Sequence, residues 1–469
     1  MKAVLQTISF FIFIIISAAA FANPIADEKV ERIIKKHRMI PSQTSIAAAY
    51  IDDSSELMSY NEDLTLNPAS VTKLLTTTAA LTKLGTNYRF LTWIGTDKWI
   101  ADGKIHNLYI KGSGDPSLVV ENAWRLAQMV KLAGVDEITG KVIIDNSFFD
   151  GKEYSKQNGE TTRAYAAYTS PFAINFNTIP IGIRAGNGMN KTPKAGVDLP
   201  GNYASIKNLV KRGNKFSVSV ESELKGDREF LTVRGTLPAK IKEHHIYRKA
   251  LNPTSFSART FIALLKQNSV TLNESFEEGT VPPNASEIIT FESDPLSLII
   301  QQMNKFSNNF TAEQITKHLG AVFVGEPGTT ENGISVIKST LGKIGIKDGE
   351  YFLENGSGLS TKNRISASQI VKIIKYLQDE FSIGPEAFAS LPISGTDGTL
   401  NGWSGWKEIK KMMRAKTGTL NGVISLGGIT TDRQGRLIAF GILTELPAGR
   451  ELDAKRMQLD LIKMMIKNN

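Results

Sequence analysis

No cysteine occurs anywhere in the chain. That excludes every disulfide and any lipid anchor on a cysteine thiol, so the fold must rest on a core large enough to need no covalent staples. Histidine is scarce as well. His37, His106, His244, His245 and His318 are the full set, and they lack the spacing of metal ligands. No metal or other cofactor is expected. Long apolar runs are missing too. The strongest stretch, Ile8 to Ile16 with Ser9 inside it, is well short of the roughly 20 residues that span a bilayer. It follows the cation of Lys2 and precedes Ala20-Phe21-Ala22, the small-x-small pattern read by signal peptidase. The reading is an export leader cut after Ala22, with Asn23 as the mature N-terminus and no transmembrane anchor left.

Removing the leader leaves 469 − 22 = 447 residues, enough for two or three domains. The leader carries only Lys2, so the formal charge falls from +9 to +8. That excess favours polyanionic partners. Export makes nucleic acid the wrong polyanion, and no basic helix interleaved with aromatics is present. An anionic envelope polymer fits better, with peripheral association in the periplasm. At 41% hydrophobic and 22% charged residues the composition is that of an ordinary globular protein.

There is no repeat and no low-complexity tract, but the texture changes twice. An amphipathic helix is predicted around Glu28–Lys36, then strands at Thr44–Asp52 and Leu57–Asn61, then a helix over Pro68–Leu84. From about residue 91 to 290 the pattern is β-rich, with short strands at Asn107–Lys111, Lys141–Asp145, Lys215–Glu221 and Phe230–Leu237. Helices return at Leu296–Asn304, Thr311–Leu319, Gly333–Ile344 and Ala367–Asp379. A hairpin (Gly422–Thr430 and Arg436–Thr444, turning at Asp432–Gly435) and a terminal helix, Met457–Lys467, close the chain. Helical ends around a β-rich middle indicate one α/β domain split by a long insertion.

Three short motifs carry chemistry. In Ser70-Val71-Thr72-Lys73, positions i and i+3 share a helix face, so the amine can reach the hydroxyl and act as its base once burial lowers its pKa. Asn67 as cap and Pro68 in the first helical position set Ser70 in the first turn, where the helix dipole favours a developing alkoxide. Ser335-Val336-Ile337-Lys338 repeats the spacing, but it sits in an amphipathic helix with no such start and reads as solvated surface. Ser307-Asn308-Asn309 can supply a proton relay and an amide clamp, or simply cap the helix that follows. Lys416-Thr417-Gly418 pairs a cation and a hydroxyl fit for a carboxylate, beside a glycine that lets a peptide lie against the strand. It is equally compatible with an ordinary hairpin.

The order SxxK, SxN, KTG is what raises these motifs above chance. With their flanks the sequence resembles the class C low-molecular-mass penicillin-binding proteins, the D-alanyl-D-alanine carboxypeptidase/endopeptidase family. Asn67–Lys73 looks like that family's nucleophile helix, and Leu108–Pro116 is similar to its GGGDP-type loop. Ser307–Glu313 resembles its second motif with flanks, Asn355–Ser360 its DGSGLS, and Gly395–Leu400 its GxDGTL. The resemblance implies a penicillin-binding/β-lactamase-like transpeptidase domain, an antiparallel sheet flanked by helices. Residues 23–90 and 291–469 would form it, with 91–155 and 240–290 as a first inserted domain and 156–239 as a second. The interval from Ser70 to Ser307, 307 − 70 = 237 residues, is much longer than in simple β-lactamases.

What the resemblance further implies is acyl transfer on peptidoglycan stem peptides, with β-lactam antibiotics as slow substrates. Ser70 would be the nucleophile and Lys73 its base. Ser307 would relay a proton, Asn309 would hold the substrate amide, and Lys416 and Thr417 would receive its carboxylate. The backbone N–H groups of Ser70 and Thr419 would form the oxyanion hole, beside Gly418. Asp145 and Phe149 would line a subsite for the peptide's free amino end. Two positions depart from the family pattern: Asn355 replaces an aspartate, and Thr361-Lys362 stands where an arginine is usual. A β-lactamase and a catalytically silent scaffold are the rival readings. The first is opposed by the 237-residue interval and the second by the intact motifs.

Overall fold

The computed structural model describes residues 24–152, 161–186, 192–447 and 449–468. The expected leader and its cut after Ala22 lie outside them. Among the described residues no helix is long and apolar enough to cross a membrane.

The sheet that carries the site is built from both ends of the chain. Its strands are β1 (Thr44–Tyr50), β2 (Glu56–Tyr60), β3 (Met413–Leu420), β4 (Val423–Thr431) and β5 (Leu437–Glu445). Their order is β3-β4-β5-β1-β2, antiparallel throughout, which leaves β3 at one edge. β1, β4 and β5 are nearly continuous apolar or small-residue runs because both faces are covered. One face buries the first helix, α1 (Asp27–Lys36), and the last (Glu451–Lys467) with Trp406 and Ile409 in a shared core. The other face receives a helical layer: α2 (Lys73–Leu84), α3 (Leu296–Phe306), α4 (Asn309–Phe323), α5 (Thr330–Lys343) and α6 (Ala367–Asp379), the terminal helix then being α7. α6 starts where its sequence says it should. Ser366 and Gln369 form a reciprocal capping box.

Residues 91–292 hold two further cores. Strands at Leu91–Thr96, Leu108–Gly112, Val142–Asp145, Phe276–Glu278 and Ser286–Glu292 form one five-stranded sheet. Two helices share its core, Val120–Leu132 and Pro253–Gln267. The β-rich expectation missed both. The second core lies under two three-stranded sheets formed within residues 178–249. One difference from expectation concerns the boundary at 240. Strand Glu243–Lys249 pairs with Thr178–Arg184, so it sides with the second inserted segment, not with the 240–290 piece. We propose that these cores correspond to two inserted domains, the second extending to about residue 250.

α4 ties the insertion to the site-bearing unit. Gln314 exchanges hydrogen bonds with both backbone groups of Ser170 (3.0 and 3.2 Å). His318 bridges the Ser113 carbonyl and the Tyr88 hydroxyl, each at 2.7 Å. Burial drives the His318 pKa down to about 4, so it serves as a neutral structural link.

Candidate active site

Ser70 lies in a 3₁₀ turn, Ala69–Thr72, that feeds directly into α2. Pro68 occupies the cap position, one place before the expected first helical position. Asn67 therefore stands one place before the cap it was expected to form, its Oδ1 accepting from the Ala69 N–H at 2.7 Å while its Nδ2 donates to the Ser360 carbonyl. Ala69 has φ +46°, a left-handed conformation costly for a residue with a side chain. The strain sits immediately before the half-buried hydroxyl of Ser70. Gly358 packs against this turn, where a Cβ would lie 1.8 Å from the Ala69 carbonyl oxygen.

Lys73 is fully buried. Its Nζ lies 3.0 Å from Ser70 Oγ, 2.7 Å from Asn309 Oδ1 and 2.6 Å from the Ser357 carbonyl. Desolvation disfavours the ammonium and brings the pKa down to about 7, with the carboxyl of Glu313 pulling the other way. A lysine at that value is a usable base near neutral pH.

The second and third motifs meet on the opposite side of the hydroxyl. Ser307 follows α3 in a left-handed conformation (φ +57°), a helix ending that turns its side chain toward β3. Asn308 caps α4 through the Thr311 N–H, so the polar-loop reading holds for this one residue. Lys416 Nζ donates to Ser307 Oγ and to the Thr417 carbonyl, both at 2.8 Å. Burial, then the neighbouring Lys73, hold the Lys416 pKa well below that of a free lysine. Thr417 Oγ1 donates to Thr399 Oγ1 at 2.8 Å. Ser70, Ser307, Thr417, Gly418 and Thr419 line one cleft. Asn309 is engaged at both ends, because its Nδ2 donates to the Tyr165 carbonyl at 3.1 Å.

Gly418 is also needed for packing. A Cβ there would lie 2.0 Å from Ser425 Oγ and 2.5 Å from the Pro68 carbonyl oxygen. Glycine therefore lets β3 close against the nucleophile turn itself. The Ser335 copy of the first motif is surface, as expected. Ser335 is exposed, with its hydroxyl on the Asn332 carbonyl, and Lys338 pairs with Asp348.

Asp145 and Phe149 are not among the residues lining the cleft around Ser70. Asp145 accepts from the backbone N–H groups of Ser147 and Val281, both at 2.9 Å; against burial, the Ser147 hydroxyl and then these N–H groups hold its pKa below the usual carboxylate value. Phe149 packs over Gly114 and with Phe148 and Ala321. These contacts hold the loop that follows Asp145 in place. Lys362 pairs with Glu354 at 2.7 Å. Asn355, buried, accepts from Gly358 N–H and Asn363 Nδ2 and donates to Ser357 Oγ, using both the donor and the acceptor of its amide.

The residue that motif reading left without a role is Glu313. Its Oε1 accepts from the Ser357 N–H at 2.9 Å, and the carbonyl of that same residue receives Lys73. Its Oε2 is buried with no hydrogen-bond partner among the described residues. Burial raises the Glu313 pKa and the Lys73 charge opposes that rise.

The chain is similar to known proteins over nearly its whole length. The model of a family described as D-Ala-D-Ala carboxypeptidase 3 (S13) matches residues 26–465. A D-alanyl-D-alanine carboxypeptidase from Actinomadura sp. (strain R39) is 28% identical over 448 residues, 90% of this chain and 81% of that protein. The crystal structure of penicillin binding protein 4 (dacB) from Haemophilus influenzae superimposes with a TM-score of 0.78 at 22% identity, covering 93% of this chain and 99% of that one. That protein has also been crystallised with a β-lactam. A predatory peptidoglycan endopeptidase from Bdellovibrio bacteriovorus shares the fold at TM-score 0.55 and 16% identity, covering 91% and 92%.

Proposed function

This chain belongs to the D-Ala-D-Ala carboxypeptidase 3 (S13) family, and on that premise we propose that it cleaves peptidoglycan stem peptides through an acyl-enzyme on Ser70. The observation that carries the assignment is the buried amine of Lys73, 3.0 Å from Ser70 Oγ, with a pKa brought to about 7. Lys73 takes the hydroxyl proton as Oγ bonds to the carbonyl carbon. Ser307 passes its proton to the amine as the C–N bond breaks and takes one in turn from Lys416, which donates to its hydroxyl. The N–H groups of Ser70 and Thr419 receive the oxyanion, each such donor contributing roughly 3–4 kcal/mol in serine proteases. Thr417, Thr419 and Lys416 receive the substrate carboxylate, and Asn309 releases Tyr165 to hold the substrate amide. Water then attacks the ester, frees the product acid and restores Ser70.

β-Lactams enter the same path, as the complex of the Haemophilus relative supports. A fluorescent penicillin should label the mature protein at one site. Ser70→Ala should abolish labelling while Ser335→Ala leaves it intact, and the reverse pattern removes the assignment. The apolar leader supports a periplasmic enzyme, checked by an envelope-derived chain that begins at Asn23.

A further inference from the structure

The cleft does not stop at the hydroxyls of Thr417 and Thr419. It continues past the edge strand to α7, and its volume is about 350 Å³, roughly the lower end of the range for ligand-sized clefts. A terminal alanine would bring only a carboxylate and a methyl group there. The far half is walled by Trp403, Trp406, Lys455 and Gln458. The two indoles meet edge to face, with centroids 5.1 Å apart at 89°, and form a rigid apolar wall. Gln458 is 2% exposed, yet its Nε2 has no hydrogen-bond partner among the described residues. A buried donor left unmet is destabilising, and this one belongs to a residue that lines a cleft from which a ligand carbonyl can approach. Lys455 adds a positive charge beside it.

We propose that this far half is a subsite for the residue on the leaving side of the scissile bond, and that it takes a side chain much longer than methyl. The aliphatic part lies against Trp403 and Trp406, and an amide carbonyl at its end accepts from Gln458 Nε2. The inference rests on the Ser70 reading, since it places the leaving carboxylate at Thr417 and Thr419, where this subsite begins. A cross-linked leaving strand offers such a residue, because its peptide continues from the side chain of the amino acid that departs. A free ammonium is disfavoured beside Lys455, and a methyl group does not reach. The bonds made and broken are unchanged; the subsite directs the enzyme toward endopeptidic cleavage.

The test uses the mature protein and four peptides that share one acyl half, with D-alanine, D-norleucine, D-lysine or Nε-acetyl-D-lysine as the leaving residue. kcat/KM is measured for wild type, Gln458→Leu and Trp403→Ala, with penicillin acylation as the report on a folded site. Wild type should favour Nε-acetyl-D-lysine over D-alanine by about tenfold or more, and D-lysine should fall below D-norleucine. In Gln458→Leu the acetyl-lysine to norleucine ratio should drop by about fivefold or more. Trp403→Ala should lower both long residues relative to D-alanine. A wild type that labels with penicillin but shows no preference for long leaving residues, or variants that keep the wild-type ratios, would overturn the subsite. A wild type that neither labels nor cleaves any peptide removes the Ser70 reading, and the subsite with it.

Discussion

Acylation by a β-lactam should switch on with pH through about 7, because its base is a lysine that burial has deprived of charge. Lys73 moves from an ordinary 10.5 to about 7. At roughly 1.4 kcal/mol per tenfold change in proton affinity, that is about 5 kcal/mol of desolvation, net of the opposing carboxyl. Such an amine is about 1% free at pH 5, about half free at pH 7 and almost fully free at pH 9. Stopped-flow acylation by a fluorescent penicillin should therefore slow by about 50-fold from pH 7 to pH 5 and gain only about twofold above pH 7. Lys416 titrates in the same enclosure, so the apparent values belong to the pair. Glu313 assigns the limb, because it acts on Lys73 and favours the protonated amine. Glu313→Gln should thus move the limb to lower pH. The shift should be about one pH unit, the usual size of one nearby opposite charge's effect on a pKa. A profile still climbing between pH 8 and 10 would mean that Lys73 is an ordinary lysine. A limb that moves to higher pH in Glu313→Gln would refute the charge argument.

Lys416→Ala should slow acylation by penicillins and D-alanyl peptides about 10- to 150-fold, the loss of a charge-assisted hydrogen bond. A methyl ester lacking the carboxylate should lose much less, so equal losses for acid and ester would move carboxylate recognition elsewhere. Gly418→Ala forces a Cβ within 2.0 Å of Ser425 Oγ and pushes β3 away from the nucleophile turn. Its acylation rate should fall by about 100-fold with the fold retained by circular dichroism, since about 1 Å of misplacement suffices for that loss. A near-normal rate would show that the turn can yield.

What could be read from the sequence was what is local. The spacing of Ser70 and Lys73 and the run Ala367–Asp379 with its cap announce themselves within a few residues, and the structure places them accordingly. The helix Val120–Leu132 was equally legible, with Ala123, Leu126, Ala127 and Val130 buried on one face, and so was Pro253–Gln267 behind its Asn252 cap; a β-rich neighbourhood hid both. Asp145 shows the opposite limit. A motif match could not reveal that both of its oxygens are satisfied by backbone amides 2 and 136 residues away.

Glu313 marks what lies beyond local reading, because its effect depends on a burial that only the assembled α2, α4 and 355–360 loop create. Among the described residues that enclosure holds two lysines and one carboxylate, and Lys416 directs its amine to Ser307 Oγ and a carbonyl rather than to an acid. Burial, then the like charge of Lys73, sets its low proton affinity, and no acid among its hydrogen-bond partners offsets them. A substrate carboxylate arriving at Thr417 supplies the charge, so binding should draw a proton onto Lys416 while Lys73 stays free to act as base. The two lysines would then divide the roles of anchor and base only when substrate is present, a division that neither motif discloses by itself.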